Sequence, residues 1–307
     1  MRKILRVILV LLAIAVAGIA VAALYVKTAL PNVGPPASIQ IVSTPARVAR
    51  GHYLANYVAV CMDCHSIRDW SYYAGPLKQE TFGGGGERFG PEIGFPGTVY
   101  SKNITPFGLH DWSDGEIIRT LTTGENKQGQ ALFPLMPYES FSQLDKEDLY
   151  SIIAYLRSLS PVTNVPPARD LDFPVSLLVN LSPSKAKVAM KPDTTNELDY
   201  GKYLTTMSSC IVCHSQVNKG ERIAGTDYGG GRPFAFPNGT TVTSANITPD
   251  NQTGIGTWTK EMFIQRFKQN IKNPPPRVGP KDFNTVMPWL MYSQMSEQDL
   301  GAIYTYL

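Results

Sequence analysis

Two short runs in the chain have the residue types and spacing of a covalent cofactor tether. Cys61-Met62-Asp63-Cys64-His65 and Cys210-Ile211-Val212-Cys213-His214 contain all four cysteines of the 307-residue chain and two of its four histidines. In a C-x-x-C-H run, two thiols three positions apart can form thioethers with the vinyl groups of a haem, and the adjacent His reaches the iron as proximal ligand. The pattern predicts two covalently bound haem c groups. A thioredoxin-like disulfide needs a βαβ context, which the sequence does not present. A zinc site built from the four cysteines leaves both following histidines without a role.

The sixth iron ligand follows from what the second half of the chain lacks. Beyond His214 there is no further histidine, and methionine is the usual alternative. Met207, Met262, Met287, Met291 and Met295 are available, but only Met287 has a methionine, Met136, at the matching position of the first half. Pro137 and Pro288 follow these residues and restrain the backbone that presents each thioether. The expected cofactor-binding sets are Cys61, Cys64, His65 and Met136, then Cys210, Cys213, His214 and Met287. The iron ligands among them are His65, Met136, His214 and Met287. His52 and His110 are the rivals in the first half. His52 aligns with Lys202 and His110 lies in a loop of unequal length, which makes both surface residues. Trp112 and Trp258 also align; an indole N–H there could donate to a haem propionate, and core packing explains them equally well. Asn103 and Asn246 begin N-x-T sequons whose place in the repeat reads as a structural turn.

These residues sit in a duplicated body. Gly51-His52-Tyr53-Leu54 matches Gly201-Lys202-Tyr203-Leu204, the two haem motifs match, and Asn103-Ile104-Thr105-Pro106 matches Asn246-Ile247-Thr248-Pro249. Met136-Pro137-Tyr138 then matches Met287-Pro288-Trp289, and an amphipathic helix over 144–159 has its partner over 295–307. Asp145 and Ser296 are the expected N-caps. The second copy stops at Leu307, which aligns with Leu156. The glycine runs at 83–86 and 229–231 read as loops or short strands and lack the context of a phosphate-binding loop.

The layout is an anchor over 4–26, a linker over 27–44, a first domain over 45–162, a Pro-rich connector over 163–195 and a second domain over 196–307. Within the connector, the apolar stretch 173–181 is expected to pack on one of the two units. The anchor contains a charge-free run from Val7 to Val26, 20 residues, long enough as a helix to cross about 30 Å of hydrocarbon. Ala20-Val21-Ala22 could serve as a signal cleavage site, but the length favours an uncleaved anchor. Arg2, Lys3 and Arg6 precede it, so the positive-inside rule puts the N-terminus inside and the haem domains in the periplasm or another extracytoplasmic space. Of the 28 Lys and Arg, the 25 beyond this cluster balance the 25 Asp and Glu, which argues against a nucleic-acid partner.

The order of C-x-x-C-H, Asn246-Ile-Thr-Pro-Asp with Thr-Gly-Ile-Gly and Trp258, a late Met-Pro-aromatic run and a closing helix resembles the cytochrome c subunits of membrane-bound alcohol and gluconate dehydrogenases. The resemblance covers roughly 45–307 and implies an all-α fold of two tandem cytochrome c-like domains. It also implies that the helices containing Gly51 and Tyr155, and those containing Gly201 and Tyr306, pack across each other. Chains of that family commonly hold three haems and are often anchored near the C-terminus, whereas this one has two motifs and an N-terminal helix.

With each iron filled by His and Met, no position is open for substrate, so one-electron transfer is the expected activity rather than catalysis. The expected role is a relay at the outer face of the membrane, from a dehydrogenase or other donor to a soluble cytochrome or terminal oxidase. The rival reading is a haem enzyme such as a dihaem peroxidase or thiosulfate dehydrogenase, which needs an open or unusually ligated iron. A structural subunit that only docks a catalytic partner leaves two complete ligand sets unexplained.

Overall fold

The computed structural model describes residues 2–271 and 275–307. The first element is α1 (Arg2–Ala29), an apolar helix with no buried residue and a mean hydropathy of 3.1 over its most apolar window. Its length and composition suffice to cross a membrane.

The first half of the body opens with α2 (Pro45–Tyr53). Thr44 caps it by accepting from the Arg47 N–H, and Pro45 occupies the first turn, where its missing N–H costs nothing. A wider helical turn over Leu54–Val58 continues α2, and Val60 then takes a left-handed conformation at φ 46° before α3 (Cys61–Cys64). Next come β1 (Arg88–Phe89), β2 (Gly97–Tyr100), α4 (Pro106–Leu109), α5 (Asp114–Thr123), α6 (Tyr138–Phe141) and α7 (Lys146–Ser158). Ser113 and Glu116 form a reciprocal capping box on α5, and Asp145 caps α7 as expected.

The connector contributes β3 (Asp170–Leu171), which joins β1 and β2 in an antiparallel sheet of order β1-β2-β3, and the short helix α8 (Val175–Leu178). The second half repeats the plan with α9 (Glu197–Met207), α10 (Cys210–Cys213), hairpin β4 (Val217–Asn218) and β5 (Glu221–Arg222), and hairpin β6 (Pro233–Ala235) and β7 (Thr241–Thr243). It closes with α11 (Lys260–Lys268), α12 (Trp289–Tyr292) and α13 (Glu297–Tyr306), the last capped by Ser296.

Helix accounts for 42% of the chain. The all-α expectation therefore holds in its main part, with seven short strands among the described residues. The strands flank Gly- and Pro-rich stretches that cannot be helical, where antiparallel pairing satisfies backbone groups that would otherwise lack partners.

Two helix crossings organise the body. Gly51 on α2 lies so close to α7 that a Cβ on it would stand 1.8 Å from the Ser151 carbonyl oxygen and 2.7 Å from the Tyr155 Cβ. Gly201 on α9 meets α13 in the same way, 1.9 Å from the Ala302 oxygen and 3.1 Å from the Tyr306 Cβ. Leu54, Val58, Ile152, Ile153 and Leu156 are buried around the first crossing, and Leu204, Leu300 and Ile303 around the second.

The two halves join through matched contacts. The Tyr53 hydroxyl donates to Asp299 at 2.7 Å and accepts from the Ser296 N–H at 2.9 Å. At the corresponding position, the Tyr203 hydroxyl donates to Asp148 at 2.9 Å and accepts from the Asp145 N–H at 3.1 Å. Each half thus inserts one tyrosine into the N-cap of the other half's closing helix, the self-complementary logic of a two-fold dimer within one chain. Within the first half, Arg50 braces the same Asp148 with two hydrogen bonds, at 2.9 and 3.0 Å. A second seam joins the loop after α3 to 276–284. There the Asn284 side chain accepts from the Ala74 N–H and donates to the Trp70 and Tyr72 carbonyls, while Trp70 meets Phe236 edge-on.

The apolar stretch 173–181 meets α1 and is buried only in part: Val179 is buried and Val175 and Leu177 are half-buried, while Phe173 is 81% exposed and Leu178 and Leu181 are about half exposed. Its four-residue helix is too short to present an apolar stripe to a core.

Gly51→Ala or Gly201→Ala forces the crossing helices apart and is expected to destabilise the protein by about 2–3 kcal/mol, read as a lower urea midpoint at unchanged slope. A second expectation concerns alkaline pH. Burial, reinforced by Asp299, raises Tyr200 to about 12, and burial with Asp299 or Asp148 raises Tyr53 and Tyr203 further. In the unfolded chain these phenols ionise near 10. Their contribution is therefore complete below pH 10 and is lost as pH rises toward the folded values. The urea midpoint should fall through that window, and Tyr53→Phe with Tyr203→Phe should flatten the fall.

Candidate haem sites

Each C-x-x-C-H run forms a single helical turn launched from a left-handed residue, Val60 at φ 46° and Ser209 at φ 55°. The turn places the two cysteines at its first and last positions, Cys61 with Cys64 and Cys210 with Cys213, and all four are free thiols. Met62 is buried beneath the first turn, whereas Cys64 and Cys213 open to solvent on one side. The protein packed around them still lifts the thiols, with Cys61, Cys64 and Cys210 each raised to about 12 and Cys213 also raised, chiefly by burial.

The histidines are held identically. His65 Nδ1 lies 2.6 Å from the Lys102 carbonyl and His214 Nδ1 lies 2.8 Å from the Ala245 carbonyl. A carbonyl only accepts, so Nδ1 carries the proton and Nε2 is left as the free donor to iron. Burial holds both imidazoles below their ordinary value, opposed by these same hydrogen bonds, so both are neutral at pH 7.

The loops that supply those carbonyls are tied back to the motifs. Gly85 N–H donates to the His65 carbonyl at 2.8 Å and Gly230 N–H donates to that of His214 at 2.7 Å. Both glycines have positive φ, and a Cβ on either would run into the backbone after Ser101 or Ser244. The buried hydroxyls of Ser66 and Ser215 accept from the Gly83 and Tyr228 N–H groups. Asn103 locks the first loop: its Oδ1 accepts from the Thr105 N–H and hydroxyl, and its Nδ2 donates to the Val162 and Asn164 carbonyls. Asn246 makes the equivalent turn with Thr248 and one further bond to Thr253. Asn103 is 6% exposed, as a structural turn requires.

Met136 and Met287 are half-buried and pack against the hydrophobic core. Each immediately precedes a proline cap of nearly equal geometry, Pro137 at φ −81°, ψ 54° and Pro288 at φ −77°, ψ 57°. His110 is 69% exposed beside Asp111, and exposed His52 sits edge-on to Tyr57 and Tyr155. Trp112 and Trp258 pack on the core.

The two attachment turns lie near each other, close enough for the charge of Cys213 to act on Cys64, that of Asp63 on Cys213, and those of Cys210, Cys213 and Asp63 on buried Tyr292. Asp63 is buried in an ion pair with Arg68 at 3.0 Å. Burial nevertheless raises its carboxyl to about 6, Arg68 opposing and Glu87 adding to the rise. Sequence reading missed this pair, the loop carbonyls and Tyr292. The repeated serine two positions before Asn103 and Asn246 was the available signal for the carbonyl loop.

The donor set fits haem c: two thiols on one turn, a histidine with Nε2 free, and a methionine on a braced loop. It fits zinc poorly, since among the described residues no three His, Cys, Asp or Glu side chains converge as a metal cage.

This class of site is that of c-type cytochromes, and the chain's relatives are of that class. The fructose dehydrogenase cytochrome subunit of Gluconobacter japonicus is 31% identical over 85% of this chain and 52% of its own length. The cytochrome c subunit of the quinone-type alcohol dehydrogenase of Gluconacetobacter polyoxogenes is 28% identical over 85% of this chain and 55% of its own. A dihaem c-type cytochrome of Cereibacter sphaeroides is 26% identical over 52% of this chain and 54% of its own. The chain spans about half the length of these curated relatives. No protein-family model matches it.

Asn103→Ala strands two backbone carbonyls and a buried N–H, and should destabilise the chain by about 2–3 kcal/mol. Asn246→Ala, at a more open turn, should cost about 1 kcal/mol. Parallel urea titrations of the two variants compare them.

Proposed function

We propose that the chain is a membrane-anchored dihaem c-type cytochrome that relays single electrons from a dehydrogenase to a soluble cytochrome or terminal oxidase. The observation that carries this reading is the matched pair of tethering turns, each with its histidine oriented by a loop carbonyl and its methionine on a proline-capped turn. In this reading 45–162 and 196–307 are tandem cytochrome c-like domains joined by the connector 163–195. Cys61, Cys64, His65 and Met136 hold one haem, and Cys210, Cys213, His214 and Met287 hold the other. The anchor keeps the N-terminus inside and both domains at the outer face.

Haem iron supplies reversible one-electron chemistry when bound. The protein's part would be to hold one iron with His65 and Met136 and the other with His214 and Met287, to orient the histidines through the Lys102 and Ala245 carbonyls, and to keep the two attachment turns close together. Methionine as sixth ligand raises the potential, which suits a carrier accepting from a lower-potential donor. The dehydrogenase partner is supported by the names of the relatives, which are subunits of fructose and alcohol dehydrogenases. The peroxidase-like alternative is not favoured, because each half offers a complete His and Met pair.

A pyridine haemochrome assay should count two haems per chain, and Cys61→Ser with Cys64→Ser should leave one. The resting ferrous protein should bind no carbon monoxide; ready binding or a high-spin ferric spectrum overturns the carrier reading. Met136→Ala or Met287→Ala should open one iron to carbon monoxide and lower the potential of that haem alone in a redox titration.

A further inference from the structure

The stretch 173–187 has no role in the proposed relay, yet its helix α8 and the turn Val179–Leu181 touch α1. Within α1 only Ala23 and Val26 are half-buried, and every other described residue of that helix is exposed. The contact of α8 and the turn Val179–Leu181 is therefore with the last turns of α1. Reading α1 as a membrane span, its charge-free run of 20 residues ending at Val26 matches the hydrocarbon thickness of about 30 Å. Ala23 and Val26 then stand within about 5 Å of the end of that run. Tyr25 and Lys27, both exposed, occupy the level where aromatic and basic residues mark the interface. Anything packed on Ala23 and Val26 lies at the boundary between acyl chains and headgroups.

The surface held at that level is apolar and then basic. Phe173, Leu178 and Leu181 are exposed, and Lys185, Lys187 and Lys191 follow, all exposed. No Asp or Glu occurs between Asp172 and Asp193. An apolar wedge followed in the chain by exposed Lys185 and Lys187 is the chemistry that binds an anionic lipid surface, whereas Lys191 is tied by its N–H to Asp145 of the first half.

We propose that residues 173–187 are a second membrane contact, in which Phe173, Leu178 and Leu181 enter the leaflet where α1 ends and Lys185 and Lys187 engage anionic lipid phosphates. The proposal rests on reading α1 as a span. A single helix leaves a body free to tilt. Two adjoining contacts fix its attitude and hold both attachment turns at a set height above the bilayer.

The test uses the full haem-loaded chain in vesicles of phosphatidylcholine, with or without phosphatidylglycerol, doped with a lipid bearing a photoreactive diazirine in its acyl chain. Mass spectrometry maps the crosslinks. Both α1 and 173–181 should be labelled. Phe173→Glu with Leu181→Glu should reduce labelling of the segment by about tenfold while α1 labelling and the haem spectrum stay as they were. Labelling of the segment should be stronger with phosphatidylglycerol, and Lys185→Gln with Lys187→Gln should abolish that difference. Labelling confined to α1 overturns the proposal and assigns the patch to water or to a protein partner. Equal labelling in the two lipids overturns the lysine assignment. Absence of label from α1 itself overturns the span reading instead.

Discussion

The close crossing of α2 with α7, and of α9 with α13, is the constraint on which the rest of the structure depends. At Gly51 and Gly201 the helix backbones approach to a distance that admits no Cβ. That approach aligns the buried apolar faces and fixes where α2 and α9 end. From those ends the chain makes a left-handed step, at Val60 and Ser209, into the turn that carries the cysteines and the histidine. A shift of either crossing would move His65 or His214 relative to the loop carbonyl that orients it.

The duplication is more than two copies in series. Tyr53 reaches the closing helix of the second half and Tyr203 reaches that of the first, so each half completes the other's capping region. Reciprocal burial of this kind holds the two attachment turns in a fixed relation to each other. The halves are not equivalent around their attachment turns. The first has the buried Asp63 and Arg68 pair, whereas the second has Val212 at the aligned position, with Arg232 donating to its carbonyl. Unequal charge beside two otherwise similar sites is a physical basis for unequal potentials.

Much of the site is legible in residue order. The C-x-x-C-H runs, the repeat and both closing-helix caps follow from local chemistry and spacing, because attachment needs adjacent residues and the repeat supplies its own internal comparison, while the crossings at Gly51 and Gly201 were implied by the resemblance to cytochrome c subunits. The hairpins were only partly legible. Strands of two to four residues carry too little periodicity to stand out from the glycine- and proline-rich loops around them.

What residue order could not decide depends on groups far apart in the chain or on backbone atoms common to every residue. The carbonyls of Lys102 and Ala245 orient the histidines through atoms that carry no side-chain signature. The reciprocal tyrosine contacts join residues about 250 positions apart in one case and about 55 in the other. The apolar stretch 173–181 looks by composition like core, but tertiary packing buries only Val179 among its large apolar side chains and leaves Phe173, Leu178 and Leu181 exposed beside α1. Composition specifies that these side chains avoid water; only the fold determines where the surrounding surface leaves them.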